Sequence, residues 1–153
     1  MLPLYHLSYP LLLDELKAEA EKAKLSAQAY QDSRWPGWSA DDWLIAHHSS
    51  VLIDTIMDDF NVNGKARFYW LEAGSQINTH CDRDTLCSLN FILSEDPAPI
   101  TICGIDYQYR SALLDTTKPH SVQNGKDERL LLKISIFDYT FKKTLNRIPK
   151  EWK

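Results

Sequence analysis

The sequence predicts one mainly β domain with helices at its N-terminus, an α+β protein built as a jelly roll with helical backing. Its 153 residues, 44% of them apolar and 11% aromatic, suit a single compact domain with a substantial core. Amphipathic helical patterns occur in residues 1–63, and short β-like runs fill residues 64–140. Because helices precede strands without β-α-β alternation, a doubly wound parallel sheet is excluded.

The N-terminal part contains two predicted helices. Leucine and alanine recur at three- and four-residue steps with charged residues on the opposite side, which predicts an amphipathic helix over about residues 10–31. Residues 33–39 combine proline, glycine and two tryptophans and are typical of a loop. A second apolar stripe predicts a short helix over residues 49–60, ended by the turn residues of 61–64.

After Gly64 the sequence consists of short runs rich in aromatic and β-branched residues, which indicate strands. These runs lie at about 66–72, 77–82, 87–93, 99–103, 106–109, 111–115, 119–123 and 128–138. The last run has one apolar face and one face that mixes Arg129, Lys133 and Ser135 with apolar residues. We expect the apolar face to meet the helices and the mixed face to line a cavity between two sheets.

Composition excludes several functional classes. Seventeen basic and 21 acidic residues give a net charge of −4, so no overall basic field attracts nucleic acid or anionic lipid. The apolar stretches are far shorter than the roughly 20 residues of a membrane span, and no secretory signal is recognisable, which makes the cytoplasm the default location. Three cysteines without CxxC spacing argue against a disulfide framework and a structural zinc site.

The motif His80-Cys81-Asp82 is the first candidate for chemistry. Strand alternation places His80 and Asp82 on one face, where an imidazole nitrogen and a carboxylate oxygen can bind one cation if a third ligand joins them. A surface pair or a hydrogen-bonded core histidine is the alternative interpretation of this motif alone.

The second candidate is the segment around Asn124-Gly125, a strong signal for a two-residue type I′ hairpin. Such a hairpin predicts that His120 and Arg129 lie directly opposite each other on one wall of one pocket. A positive side chain beside a metal-facing imidazole indicates that an anion binds between them. In the alternative interpretation, Arg129 turns toward solvent.

Together these candidates form a facial triad of two histidines and one carboxylate, the arrangement that leaves open positions on non-haem Fe(II). The stretch from Phe68 to Asp138 resembles the Fe(II)- and 2-oxoglutarate-dependent oxygenases, especially the aspartyl/asparaginyl β-hydroxylase-like or bacterial proline-hydroxylase-like branch. The segments that carry the resemblance are Leu71–Asp82, Leu89–Leu93, Leu114–Asn124 and Arg129.

The resemblance implies a double-stranded β-helix, a cupin-like jelly roll, as a single oxygenase domain over residues 1–153. It implies that His80, Asp82 and His120 hold Fe(II) and that Arg129 pairs with the distal carboxylate of 2-oxoglutarate through its planar fork. The cosubstrate and O2 would take the remaining metal positions, and the expected outcome is hydroxylation of an unactivated C–H bond in an amino acid or a protein or peptide side chain.

Further residues follow from the same resemblance. Ser88 and Asn90 share a strand face and could reach the cosubstrate, although a one-residue slip would turn Leu89 and Phe91 inward instead. Lys133 is a second candidate partner for a carboxylate. Two other functions remain open: a cupin-like metalloenzyme that does not use 2-oxoglutarate, and a non-catalytic jelly-roll binding module.

Overall fold

A computed structural model describes residues 1–31, 39–95 and 98–153, with the side chains of 29–31 and 39–42 left undescribed. In these residues, two antiparallel sheets face each other and helices cover one of them. The elements in chain order are β1 (Leu4–His6), α1 (Leu13–Lys24), β2 (Gln28–Gln31), β3 (Ser39–His47), α2 (Val51–Phe60), β4 (Lys65–Leu71), β5 (Gln76–His80), β6 (Cys87–Ile92), β7 (Ile100–Ile102), β8 (Ile105–Tyr107), β9 (Ser111–Leu114), β10 (His120–Gln123), β11 (Arg129–Ile136), α3 (Phe141–Arg147) and a 3-10 turn (Lys150–Trp152).

The strand orders are those of a jelly roll. The larger sheet has seven strands in the order β1-β9-β6-β11-β4-β3-β2, and the smaller has four in the order β5-β10-β7-β8. Every strand pair is antiparallel. The predicted fold class, a mainly β jelly roll with helices, is therefore confirmed.

Two apolar clusters fix the layers. One lies between the seven-stranded sheet and the helices and contains Leu132 and Ile134 of β11. The other joins the two sheets and contains Leu131 of β11 with Ile77 and Val122 of the smaller sheet. Strand β11 is thus buried on both faces, as its sequence predicts, and the face with Arg129, Leu131 and Lys133 looks into the space between the sheets. We call this the inner face of the seven-stranded sheet.

The N-terminal part differs from the prediction. The helix expected over 10–31 ends at Lys24, and the chain then enters β2, which pairs with β3. Residues 1–63 therefore contribute three strands as well as two helices. In β2, pairing with the neighbouring strand β3 overrides a local helical pattern. The second predicted helix is confirmed as α2, where the Ser50 hydroxyl accepts a hydrogen bond from the Ile53 amide. Residues 33–38 of the predicted loop lie outside the described residues.

The predicted hairpin at Asn124-Gly125 is wrong. Strands β10 and β11 belong to different sheets, and His120 is paired with His80 and Ile102, whereas Arg129 is paired with Leu71. The chain crosses from one sheet to the other at this point instead of turning back on itself.

The side chain of Asn124 explains the crossing. Its amide donates hydrogen bonds to the carbonyls of Leu71, Glu72 and Asp127 at 2.9–3.0 Å, so it ties the crossing segment to the end of β4. The left-handed backbone of a two-residue turn occurs instead at Cys103 and Gly104, with φ of 51° and 80°, between β7 and β8.

Gly64 stands where the backbone of β11 approaches closely. A Cβ there would collide with the carbonyl oxygen of Ser135 and lie 3.0 Å from Cγ2 of Ile134. We expect Gly64→Ala to lower the free energy of unfolding by about 2 kcal/mol, because the colliding group is backbone that cannot move aside. Gly125→Ala is the matched control, since nothing lies within 4 Å of a Cβ at that position. Urea denaturation of both variants tests this, and equal stability of the two would contradict it.

The structure also bears on the cysteines and on the length of the helices. All three cysteines are free, Cys87 being buried and Cys81 and Cys103 exposed. Among the described residues, the helices are too short or too polar to cross a membrane.

Candidate functional site

His80 faces the inter-sheet space because strand β5 contains a bulge. Val122 pairs with Ile77, but His120 pairs with His80, so β5 has one residue more than β10 between these two pairs. Strict alternation would turn His80 to the opposite side from the buried Ile77. The extra residue restores the phase, a use of bulges that is common next to active sites.

His80, Asp82 and His120 form the only group of three potential metal ligands found in the described part of the chain, with ligand atoms all within 4.8 Å of one another. The Oδ1 atom of Asp82 lies 3.4 Å from Nε2 of His80 and 3.3 Å from Nε2 of His120. The two imidazole rings are 4.3 Å apart at their centroids. Asp82 follows the end of β5 rather than lying within it, and its amide donates to the Thr116 carbonyl.

Backbone carbonyls orient both histidines. Nδ1 of His80 lies 2.8 Å from the carbonyl oxygen of Asn78, and Nδ1 of His120 lies 2.7 Å from that of Lys118. A carbonyl oxygen only accepts, so each Nδ1 carries the proton and donates it. The Nε2 atoms are then the ones that face Asp82 and can bind a metal, as the outer hydrogen bonds of ligating histidines usually arrange.

Lys133 holds the other oxygen of Asp82. Its Nζ donates to Oδ2 at 2.8 Å, and both side chains are largely buried. Burial alone would raise the pKa of Asp82, but the Lys133 ammonium and the hydrogen bonds with His120 and His80 hold that pKa far below its ordinary value. Burial alone would lower the pKa of Lys133, and the attraction of Asp82 raises it above its ordinary value. Both groups are therefore charged.

The pKa of His80 is raised. Burial lowers it, but the hydrogen bonds with Asp82 and with the Asn78 carbonyl outweigh that effect. Since imidazole binds a metal only when neutral, a proton on His80 competes with a metal for this site.

Arg129 lies on the same inner face, four residues before Lys133. It is only 2% exposed, and one of its NH groups donates to the Ala98 carbonyl and another to the Tyr109 hydroxyl at 3.4 Å. Its Nε has no hydrogen-bond partner, and within the described ranges no carboxylate forms an ion pair with it. A buried guanidinium without a counter-charge is costly, so this position calls for an anion.

A polar chain connects Arg129 to the predicted residues of β6. The Ser88 hydroxyl donates to Oδ1 of Asn90 at 2.7 Å, and Nδ2 of Asn90 donates to the Tyr109 hydroxyl at 3.0 Å, which also accepts from Arg129. Ser88 and Asn90 are buried and pair with Ser135 and Lys133 on the inner face, so the one-residue slip that would place Leu89 and Phe91 there does not occur.

The donor set fits a divalent transition metal. Two neutral imidazoles and one carboxylate suit Fe(II), and a protein that supplies three ligands leaves positions for other molecules. Lys133 engages only Oδ2, so Oδ1 is left facing the histidines.

The structure thus brings together the three predicted ligands and puts Arg129 on the inner face, although not opposite His120. Tyr109 falls within the predicted run at 106–109, but no local pattern marks it as a site residue, and in the structure it lies just beyond β8, which ends at Tyr107. The role of Lys133 beside Asp82 could have been found from a charged residue in the middle of a buried strand.

Similar folds occur among solved structures. A prolyl hydroxylase from Trichoplax adhaerens, solved with a hypoxia inducible factor oxygen degradation domain peptide fragment, has a TM-score of 0.71 and 12% identity, covering 93% of this chain and 85% of that chain. A Pseudomonas putida prolyl-4-hydroxylase has a TM-score of 0.67 and 15% identity, covering 90% and 93%. A DMSP lyase from Ruegeria pomeroyi has a TM-score of 0.57 and 16% identity, covering 87% and 67%.

These identities are low, so the likeness establishes the shared fold. No protein-family model matches the sequence. No curated protein matches it either. The DMSP lyase demonstrates that one fold carries different reactions, so function has to be argued from the site.

Proposed function

We propose that the protein is a non-haem Fe(II)- and 2-oxoglutarate-dependent dioxygenase that hydroxylates an unactivated C–H bond of an amino acid or of a protein or peptide side chain. The observation that carries the proposal is the buried Arg129, which has no carboxylate partner among the described residues yet shares the inter-sheet space with the His80, Asp82 and His120 cluster.

Charge favours a dicarboxylate in this space. The Lys133 and Asp82 charges neutralise each other, and Arg129 adds a positive charge that nothing described balances. A divalent cation on the triad would add two more positive charges. A ligand with a carboxylate at each end would offset both, one end at the metal and the other at Arg129, where a guanidinium can make paired hydrogen bonds.

The residues have separate roles in this proposal. His80, Asp82 and His120 would hold Fe(II), which when bound supplies the redox chemistry for activating O2. Arg129 binds the distal carboxylate, and the Tyr109 hydroxyl, which accepts hydrogen bonds from Arg129 and from Asn90, lies beside it. Leu131 and Ile92 of the inter-sheet cluster exclude water between the two ends.

The similar folds support this assignment in part. Two of the similar structures are prolyl hydroxylases, which favours the proline-hydroxylase-like side of the resemblance, and one of them was solved with a peptide. The aspartyl/asparaginyl β-hydroxylase-like branch has no counterpart among the similar structures described above. The second candidate, a metalloenzyme on the same ligands without 2-oxoglutarate, is kept because one similar structure is a lyase rather than a hydroxylase.

Anaerobic titration tests the proposal. We expect Fe(II) and 2-oxoglutarate together to give a visible charge-transfer band in the wild type and His120→Ala to lose it, because the triad loses a ligand. His6→Ala is the matched control, since that histidine is exposed on β1, away from the triad strands. Wild-type turnover should also release succinate. A metal-loaded protein without the band, or with turnover independent of 2-oxoglutarate, would contradict the proposal and favour the second candidate.

A further inference from the structure

A row of polar residues crosses the inner face of the seven-stranded sheet at the level of the triad. His47 of β3 pairs with Arg67 of β4, Arg67 pairs with Lys133 of β11, and Lys133 pairs with Asn90 of β6. Directly opposed residues on antiparallel strands point the same way, with Cβ atoms about 5 Å apart. Arg67 is therefore the immediate neighbour of the lysine that touches Asp82.

The charges in this row are not balanced. Lys133 is paired with Asp82, but Arg67 forms no ion pair with any carboxylate in the described segments. Among the side chains that the structure describes, its one hydrogen-bond partner is the Tyr69 hydroxyl, which accepts from an Arg67 NH group at a long 3.4 Å. Like charges placed directly opposite each other destabilise a sheet. An anion bound at Arg67 would offset its repulsion with Lys133.

His47 does not supply an anion and adds little charge. Partial burial, followed by the positive charges of Arg67 and Lys65, lowers its pKa below the ordinary value, so it is neutral around pH 7. The unbalanced positive charge of the row therefore belongs to Arg67.

Arg67 and Arg129 occupy different places on the inner face. Arg129 pairs with Leu71, four residues along β4 from Arg67, and the apolar pair of Tyr69 and Leu131 lies between them. Arg129 is fully buried, whereas Arg67 is partly exposed. One guanidinium is thus enclosed, and the other can be reached from solvent beside the triad.

We propose that Arg67 binds a carboxylate of the primary substrate and so places that substrate beside the metal ligands. The proposal rests on the proposed function and specifies its substrate class: a molecule whose recognised group is a free carboxylate, either on an amino acid or at the end of a peptide. A guanidinium suits this group because it stays charged and can donate two parallel hydrogen bonds.

Matched acids and amides test the proposal on the full chain. The probes are the twenty free L-amino acids with their carboxamides, and tripeptides with either a free or an amidated C-terminus. Binding is measured by ligand-observed NMR without 2-oxoglutarate, and succinate release is measured separately with Fe(II) and 2-oxoglutarate. We expect at least one free acid to bind about tenfold or more tightly than its amide, as a charge-assisted hydrogen bond predicts.

Variants assign that preference to Arg67. Arg67→Gln should abolish the difference between acid and amide, and Arg67→Lys should restore part of it. Lys65→Gln is the matched control, because Lys65 lies on the same strand face but is exposed and pairs with Ser135. The half-saturating concentration of 2-oxoglutarate should change by less than about twofold in Arg67→Gln, whereas that of the substrate rises about tenfold or more.

The outcomes separate the two proposals. Equal binding of every acid and its amide, or an acid preference that survives in Arg67→Gln, would overturn the role of Arg67. A rise in the 2-oxoglutarate requirement instead of the substrate requirement would also overturn it. Arg67-dependent binding of acids without any succinate release would retain the carboxylate site and reject the dioxygenase. Whether the preferred probe is an amino acid or a tripeptide identifies the source of the carboxylate.

Discussion

Replacing Asp82 with alanine should remove metal binding and, at the same time, destabilise the protein without metal. The variant loses a ligand, so metal affinity should fall more than the roughly 10- to 100-fold seen when an outer partner of a ligand is lost. It also leaves the Lys133 ammonium largely buried without its carboxylate and beside Arg67. We expect the free energy of unfolding to fall by about 3 kcal/mol, typical of breaking a buried ion pair from one side.

A double variant separates these two effects. Asp82→Ala combined with Lys133→Met removes both charges, and apolar replacement of a buried ion pair is often neutral or stabilising. The double variant should therefore recover most of the lost stability in urea denaturation and remain unable to bind Fe(II). If the single and double variants are equally unstable, Lys133 is not the source of the instability. If Asp82→Ala binds metal like the wild type, Asp82 is not a ligand.

Replacing Arg129 with methionine should weaken 2-oxoglutarate binding about 100-fold, because truncating one partner of a buried charge pair costs several kcal/mol. Without ligand the same variant should be as stable as the wild type or more so, since it no longer buries a guanidinium with an unpaired Nε. Thermal unfolding with and without 2-oxoglutarate, in the presence of Fe(II) and the absence of O2, measures both effects.

The stabilisation that 2-oxoglutarate gives is compared between the wild type, Arg129→Met and a control variant, Arg147→Met. At a 2-oxoglutarate concentration of 100 times the wild-type Kd, binding should raise the free energy of unfolding of the wild type by about 2.7 kcal/mol. At the same concentration the free energy of unfolding of Arg129→Met should rise little, because its site is about a hundredfold weaker. Arg147→Met, which removes an arginine stacked on Tyr139 at 4.1 Å on the far side of the sheet, should gain as much as the wild type. An unchanged response of Arg129→Met would remove Arg129 from the cosubstrate site.

Much of the fold could be predicted because most of its strands have a local sequence pattern. The eight runs after Gly64 each correspond to a strand, and the alternation in β11 identifies both of its buried faces. Strand β1 has only three residues and exists through its pairing with β9, more than a hundred positions away. No local pattern could indicate it, and the same holds for β2, whose residues continue a helical stripe.

The candidate site likewise has one part that follows from local sequence and one part that depends on distant contacts. His80 and Asp82 are two residues apart, so their proximity is a local property. His120 and Arg129 meet the same space by a different route from the predicted one, because the amide of Asn124 bonds to carbonyls at the end of β4 instead of forming a tight turn. Dipeptide statistics describe turns in isolation and contain no information about such distant acceptors.

The two sheets contribute different side chains to the candidate site. Both imidazoles project from the small sheet, whereas Lys133, Arg67 and Arg129 project from the large one, and Asp82 connects the sets through one oxygen on each side. A cation and a dicarboxylate bound here would contact residues of both sheets, and separating the sheets would break these contacts. Occupancy is thereby linked to how closely the layers stay together, so amide hydrogen exchange in β5 and β10 reports on binding that occurs on the opposite wall.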